Sequence, residues 1–259
     1  MYTRMDNFRF TFQQNQFTGE CLPCTAAQFK TIVNSGIVNT TITTRQAIEK
    51  AIDEGESLTE YVNDAGFRNF CVNQSQRPRA GASFEALPVE NKLQQWTNSK
   101  KMWLPAFIFG VREFEAVPKT DKNGNVILDG EGQPVLFRRR LQANIKELSA
   151  LFMFDGDHLP FDPREVYERT MRNGFPWKVR LSHKTSSGHG IRLVCEARPD
   201  VGNIADNQIE LARELGLLGV KGTTGKPVTD DSCIDASRIS YAPRMCDIYF
   251  IDETNLFNL

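Results

Sequence analysis

Residues 150–158 read Ala-Leu-Phe-Met-Phe-Asp-Gly-Asp-His, an unbroken apolar run that ends directly on two aspartates one residue apart. A short apolar run of this kind reads as a buried strand. Alternate side chains of an extended chain point the same way, so Asp155 and Asp157 can share one face at the strand's end. The fold therefore has to place a sheet edge, and not a helix, beneath this pair of acids.

The segments around it continue the pattern. LPAFIFGV (Leu104 to Val111) reads as a second buried strand. Asn123-Gly124 and Gly130-Glu131-Gly132 are turn signals inside a protruding hairpin. Pro163 opens the helix REVYERTMRNG, which Gly174 closes. WKVRLSHK and GIRLVCEA form a strand pair around TSSGHG, NQIELARELGLL is an amphipathic helix, and ISYAPRMCDIYFID supplies late strands. After residue 100 the order is roughly β-β-β-α-β-β-α-β-β, an α+β sheet with helices on one face, near the split βαβ plan. Residues 1–100 form a separate mixed αβ region of unassigned role, and 101–259 the chemical region. In the front region FRFTF (Phe8 to Phe12) reads as a strand. A helix follows Thr44 with Ala47, Ile48 and Ile52 on one face and Gly55 as its stop.

Apolar residues make up 40% of the 259 and charged residues 24%, which supports a packed core and excludes general disorder. The start MYTRMDNFRF has no apolar core of a signal peptide, and no run approaches the ~20 apolar residues of a membrane span, so a cytoplasmic protein is expected. Cys21 and Cys24 form one CxxC pair with no second pair, so reduced thiols are favoured over a zinc site.

Three segments carry chemistry. Asp155 and Asp157 held close would repel, and a divalent cation removes that cost. Oxygen ligands select Mg²⁺ or Mn²⁺. A DxD pair also occurs in ordinary loops, calcium sites and sugar-nucleotide transferases. The stretch Lys184-Thr185-Ser186-Ser187-Gly188-His189-Gly190-Ile191-Arg192 is a small-residue turn whose backbone N–H groups suit a phosphate. Lys184, His189 and Arg192 add donors to it, although a plain hairpin turn with surface charges fits the same letters. Asp230-Asp231-Ser232-Cys233-Ile234-Asp235-Ala236-Ser237-Arg238 offers a further carboxylate and an arginine, or an ordinary acidic loop. GTTGKP (Gly222 to Pro227) fails the Walker pattern, so no ATPase is encoded here.

In this order the three segments resemble the archaeo-eukaryotic primase superfamily, whose pattern is an apolar strand then DxD, a serine/glycine turn leading to a basic residue, and an apolar-Asp motif. The likeness is nearest to the VirE-type primase-like domains that precede helicase domains in mobile-element proteins of bacteria. It rests on LPAFIFGV before DxD and on DxSCxDxSR with SYAPR after it, and spans roughly residues 100–255. It implies an RRM-like catalytic lobe plus a second αβ lobe, with the site between them. It also implies Asp155 and Asp157 as catalytic metal ligands, with Asp235 or Asp231 completing the set. The apolar-Asp form favours Asp235. Lys184, Ser186, Ser187, His189, Arg192 and Arg238 would hold nucleotide. Arg192 stands where the family's turn carries histidine.

The expected activity is DNA primase- or polymerase-type nucleotidyl transfer. The partners would be nucleoside triphosphates, a single-stranded or primed DNA template, and a helicase as a fused region or separate protein, with no membrane. The alternative is a catalytically degenerate module that binds nucleic acid or nucleotide. A metal-dependent nuclease or sugar transferase needs the same acids but leaves the serine/glycine turn and Arg238 without a role. The cluster Arg138, Arg139 and Arg140 is expected on the template backbone.

Overall fold

The computed structural model describes residues 8–77, 81–229 and 234–258. From the N-terminus, β1 (Thr11–Gln13) and β2 (Leu22–Pro23) lead into α1 (Ala26–Val33) and the long α2 (Gly36–Asp53). Then come α3 (Thr59–Val62), α4 (Ala65–Ser75), α5 (Gly81–Glu85) and α6 (Val89–Lys101). Short strands follow: β3 (Ala106–Ile108), β4 (Val111–Phe114), β5 (Ala116–Pro118), β6 (Leu136–Arg138) and β7 (Ile145–Leu148). The remainder is β8 (Leu151–Gly156), α7 (Pro163–Thr170), β9 (Val179–Lys184), β10 (Ile191–Glu196), α8 (Ile204–Glu214), β11 (Ser240–Tyr241), β12 (Ile248–Ile251) and α9 (Glu253–Phe257). The chain is thus α+β, with antiparallel pairing throughout its sheets.

Local signals explain where the elements start. Asp162 caps α7 by accepting from the Arg164 N–H, and Pro163 gives up only an N–H that a first turn leaves unpaired anyway. Thr25 with Gln28, and Asn203 with Asp206, form reciprocal capping boxes at α1 and α8. The helix expected after Thr44, from Arg45, begins nine residues earlier, at Gly36. Val38 and Ile42 are buried against the strands and Ile48 in a second cluster with Phe67, Leu93 and Trp96, and this packing outweighs the low helix propensity of a Thr-rich, β-branched segment.

The main sheet has the order β12-β9-β10-β8. β10 lies between β8 and β9 and is antiparallel to both, so β8-α7-β9 is a split βαβ unit. Alternation along the strands sorts their side chains into two cores. Phe152, Phe154, Leu193 and Cys195 pack with Val166 of α7 and Leu211 of α8. Leu151, Met153, Leu181 and Val194 pack on the opposite face with Phe10, Phe107, Phe109, Val38 and Ile42.

That second core corrects the expectation of helices on one face only. The opposite face is covered by the sheet β11-β3-β1-β2 with α1, α2 and α9, because strands apolar on both sides need cover on both. For the same reason the division expected near residue 100 is not a break in packing. β1 pairs with β3 along Thr11↔Ile108, Phe12↔Phe107 and Gln13↔Ala106, so the first residues complete a sheet with later ones.

The expected hairpin is present as β5 and β6 with two Asp-headed turns, in which Asp121 and Asp129 each accept two backbone N–H groups. Cys21 and Cys24 are buried. Burial pushes the Cys21 thiol up to about 12, and Cys24 is raised in the same way. Among the described residues no helix is long and apolar enough to cross a membrane.

Candidate active site

The parity of β8 decides where the acids go. Asp155 shares the Leu151 and Met153 face and so emerges toward the front of the chain rather than toward α7 and α8. Its registered partner on β10 is Arg192, and Arg192 in turn registers with His183 on β9. The Arg192 guanidinium donates to Asp155 Oδ2 at 2.9 Å and to Ser240 Oγ at 3.1 Å. Both partners of this ion pair are largely buried, with side-chain exposures of 14% and 6%.

His183 lies beneath them, 1% exposed, with its Nδ1 2.8 Å from the Lys184 carbonyl oxygen. Burial holds its pKa down to about 4, with Arg192 adding to the effect, so the ring is neutral near neutral pH.

Asp157 follows two residues on. Its N–H donates to Val228 O at 2.8 Å, and its carboxylate is about half exposed. The Thr185–Gly190 turn closes over the same strand end. Thr185 N–H donates to Gly190 O, and Leu159 N–H donates to His189 O. Gly190 is a matter of space: a Cβ there would lie 2.5 Å from Gly156 O and 3.0 Å from Asp157 Oδ1. The turn is held from outside by α2, whose Asp53 Oδ2 lies 3.2 Å from His189 Nε2 and whose Gln46 packs on Gly188.

These pieces enclose one cleft of about 600 Å³. Asp155, Asp157, Ser186, Ser187, His189 and Arg192 line it together, although the sequence separates the two acids from the turn by about thirty residues. Its other wall comes from the front helices, through Arg45, Glu49 and Asp53 of α2 and Gln94, Asn98 and Lys101 of α6. Arg45 is buried, donates to Asn98 Oδ1 at 2.6 Å and lies 3.6 Å from Glu49, while its Nε has no hydrogen-bond partner among the described residues. Burial lowers the pKa of Arg45, and the Glu49 charge works against that shift. Lys101 is brought down to about 8 by burial, and the positive charges of Arg45 and Arg192 add to the effect. Arg45, Lys101 and Arg192 thus share the cleft with the carboxylates of Glu49, Asp53, Asp155 and Asp157, so it offers both cations for a phosphate and acids for a metal.

The remaining expected residues fall elsewhere. Asp235 does not reach the cleft. Its carboxylate accepts from Ser237 N–H and Ser237 Oγ, both at 2.8 Å, and it borders a separate small cavity with Gly110 and Arg238. Asp235 therefore caps its own turn, and Arg238 sits with it rather than with the acids. Asp231 lies outside the described residues. Lys184 ends β9 and does not line the cleft. Arg140 donates to Gln13 Oε1 and Ser237 O, tying β1 to the segment after residue 234, and neither Arg138 nor Arg139 borders the cleft.

The front-helix wall is what sequence reasoning missed. A signal existed: Arg45 and Glu49 continue the spacing of Val38 and Ile42 along one face, so two charges occupy an otherwise apolar, inward stripe.

Among the described residues no three His, Cys, Asp or Glu side chains converge as a metal-binding group. Asp155 and Asp157 still offer a hard-oxygen pair. That set fits Mg²⁺, which commonly takes one or two protein carboxylates and completes its shell with phosphate oxygens and water. Compared with protein-family models, curated proteins and solved structures, the chain matches none of them.

Proposed function

We propose that the cleft is the active site of a metal-dependent nucleotidyltransferase of the primase-polymerase type, acting on nucleoside triphosphates and a nucleic-acid strand. The observation that carries this reading is the single cleft in which Asp155 and Asp157 face Ser186, Ser187, His189 and Arg192, with Arg45 and Lys101 opposite. Carboxylates alone would suit many hydrolases. Carboxylates facing hydroxyls and crowded cations suit a substrate that carries both a metal and a polyphosphate.

In this reading Asp155 and Asp157 would hold Mg²⁺ or Mn²⁺, which when bound would supply neutralisation of phosphate charge. The Thr185–Gly190 turn and Arg192 orient the triphosphate, and Arg45 and Lys101 meet its charge from the helical wall. An RRM-like catalytic lobe belongs to the same proposal, with the split βαβ unit in support.

The test is incorporation of labelled nucleotides by the purified chain on unprimed and primed single-stranded templates with Mg²⁺ or Mn²⁺. New chains on unprimed template mean priming, and extension alone means a polymerase. One observation favours a second reading, a nucleotide-binding module without catalysis: Asp155 is already neutralised by Arg192. That reading expects triphosphate binding that needs no divalent metal, and no incorporation under any metal.

A further inference from the structure

A second groove, of about 460 Å³, opens beside the cleft and shares Asn98 and Lys101 with it. It runs between α4, α6 and β11. It is lined by the rings of Phe70 and Tyr241, the amides of Gln16, Gln74 and Gln95, and Arg77. Among the described residues no carboxylate borders it, whereas four border the adjoining cleft: Glu49, Asp53, Asp155 and Asp157.

Two exposed aromatic residues directly follow lining residues of the groove in sequence. The Gln16 N–H donates to Met102 O at 3.0 Å, which brings the following residues of both segments together. Those residues are Phe17 and Trp103, exposed by 55% and 58%, with ring centroids 4.7 Å apart. Lys101 Nζ sits 5.0 Å from the centre of the Tyr241 ring, between groove and cleft.

We infer that this groove binds an unpaired nucleic-acid strand and delivers it to the cleft at Lys101. Every base has a π-face, so exposed rings hold single strands without regard to sequence, and the cations Arg77 and Lys101 can follow the backbone. The amides can donate to and accept from base edges that only an unpaired strand presents on all sides. A duplex offers neither its base faces nor its pairing edges. The groove thus takes the place of Arg138–Arg140 as the strand path, in keeping with the use of Arg140 inside the fold. The strand's role as template rests on the reading of the cleft given above, whereas its binding is measurable without any catalysis.

The experiment is a fluorescence-anisotropy titration of the full chain with a labelled oligothymidylate, and with a duplex of the same length, at several salt concentrations. Arg77 and Gln95 are exposed, so the double variant R77E/Q95E folds as the parent does, which circular dichroism checks. It should weaken single-strand binding by about tenfold or more, and Trp103→Ala should weaken it by about tenfold, the scale of losing one stacked base. Arg138→Ala/Arg139→Ala should change it little. Single-strand affinity unchanged in both groove variants, duplex bound as tightly as single strand, or affinity lost only in the arginine variant would overturn the inference. Failure of the cleft reading looks different: Asp157→Asn would retain full incorporation while the groove variants still lose oligonucleotide.

Discussion

Arg192 and Asp155 face each other across β10 and β8, and their side chains meet at 2.9 Å in a largely buried ion pair. In the proposed reading Arg192 meets the triphosphate, and in the structure it neutralises a buried acid, so substitutions report on both roles. Removing one partner of a buried pair strands the other charge, at a typical cost of about 3–5 kcal/mol. Asp155→Asn and Arg192→Ala should each lower unfolding stability by that order in urea titrations, and the two together by clearly less than their sum. Additive losses would show that the pair is not coupled.

Asp157 provides the cleaner test of chemistry. Its carboxylate is about half exposed, so Asp157→Asn should change stability by no more than about 1 kcal/mol. Nucleotide incorporation should nevertheless fall to background with saturating Mn²⁺. Wild-type incorporation by a folded Asp157→Asn chain would remove the acid pair from the reaction.

Lys101 makes binding pH-dependent. With its pKa at about 8, the ammonium is charged below that pH and neutral above it. Triphosphate affinity should therefore fall as pH rises through about 8. Lys101→Arg should shift that loss out of range, and Lys101→Met should give weak, pH-independent binding over the same interval. Isothermal titration between pH 7 and 9.5 reads all three. The stability sign runs the other way: the unfolded lysine binds its proton more tightly than the folded one, so stability rises with pH between about 8 and the ordinary lysine value.

His183 should make the fold acid-sensitive. Its folded pKa of about 4 lies below the ordinary histidine value, so between the two the unfolded chain takes up the proton and the folded chain does not. Stability from this group is complete above the ordinary histidine pKa and falls as pH drops toward about 4, by on the order of 3 kcal/mol in all. His183→Gln should flatten that part of the stability profile, measured as denaturant midpoints from pH 4 to 7.

Gly190 should tolerate no side chain. The Cβ of Gly190→Ala would come within 2.5 Å of a backbone oxygen at the end of β8, so the turn has to lift away from Asp157. A loss of roughly 1–3 kcal/mol is expected, with a larger fall in incorporation than in stability. Paired denaturation and activity measurements on the one variant check this.

The sequence by itself determined the strands and their parity. The apolar run ending on Asp155 and Asp157 reads as a covered strand whose end can carry both acids on one face, and β8 has that form. The Thr185–Gly190 turn and the split βαβ unit were legible for the same reason, since period and turn chemistry are local properties. Which face the acids would meet was not local. It followed from the second core, where Phe10, Val38 and Ile42 pack on the Leu151 side and bring Arg45 of α2 and Lys101 of α6 over the strand end. Asp235 shows the converse: its letters suited a ligand, but a carboxylate three bonds from its own chain found Ser237 first. Spacing specifies direction along one element. The packing of elements distant in sequence decides which charges meet across strands and helices, as the buried pair Asp155–Arg192 between β8 and β10 shows.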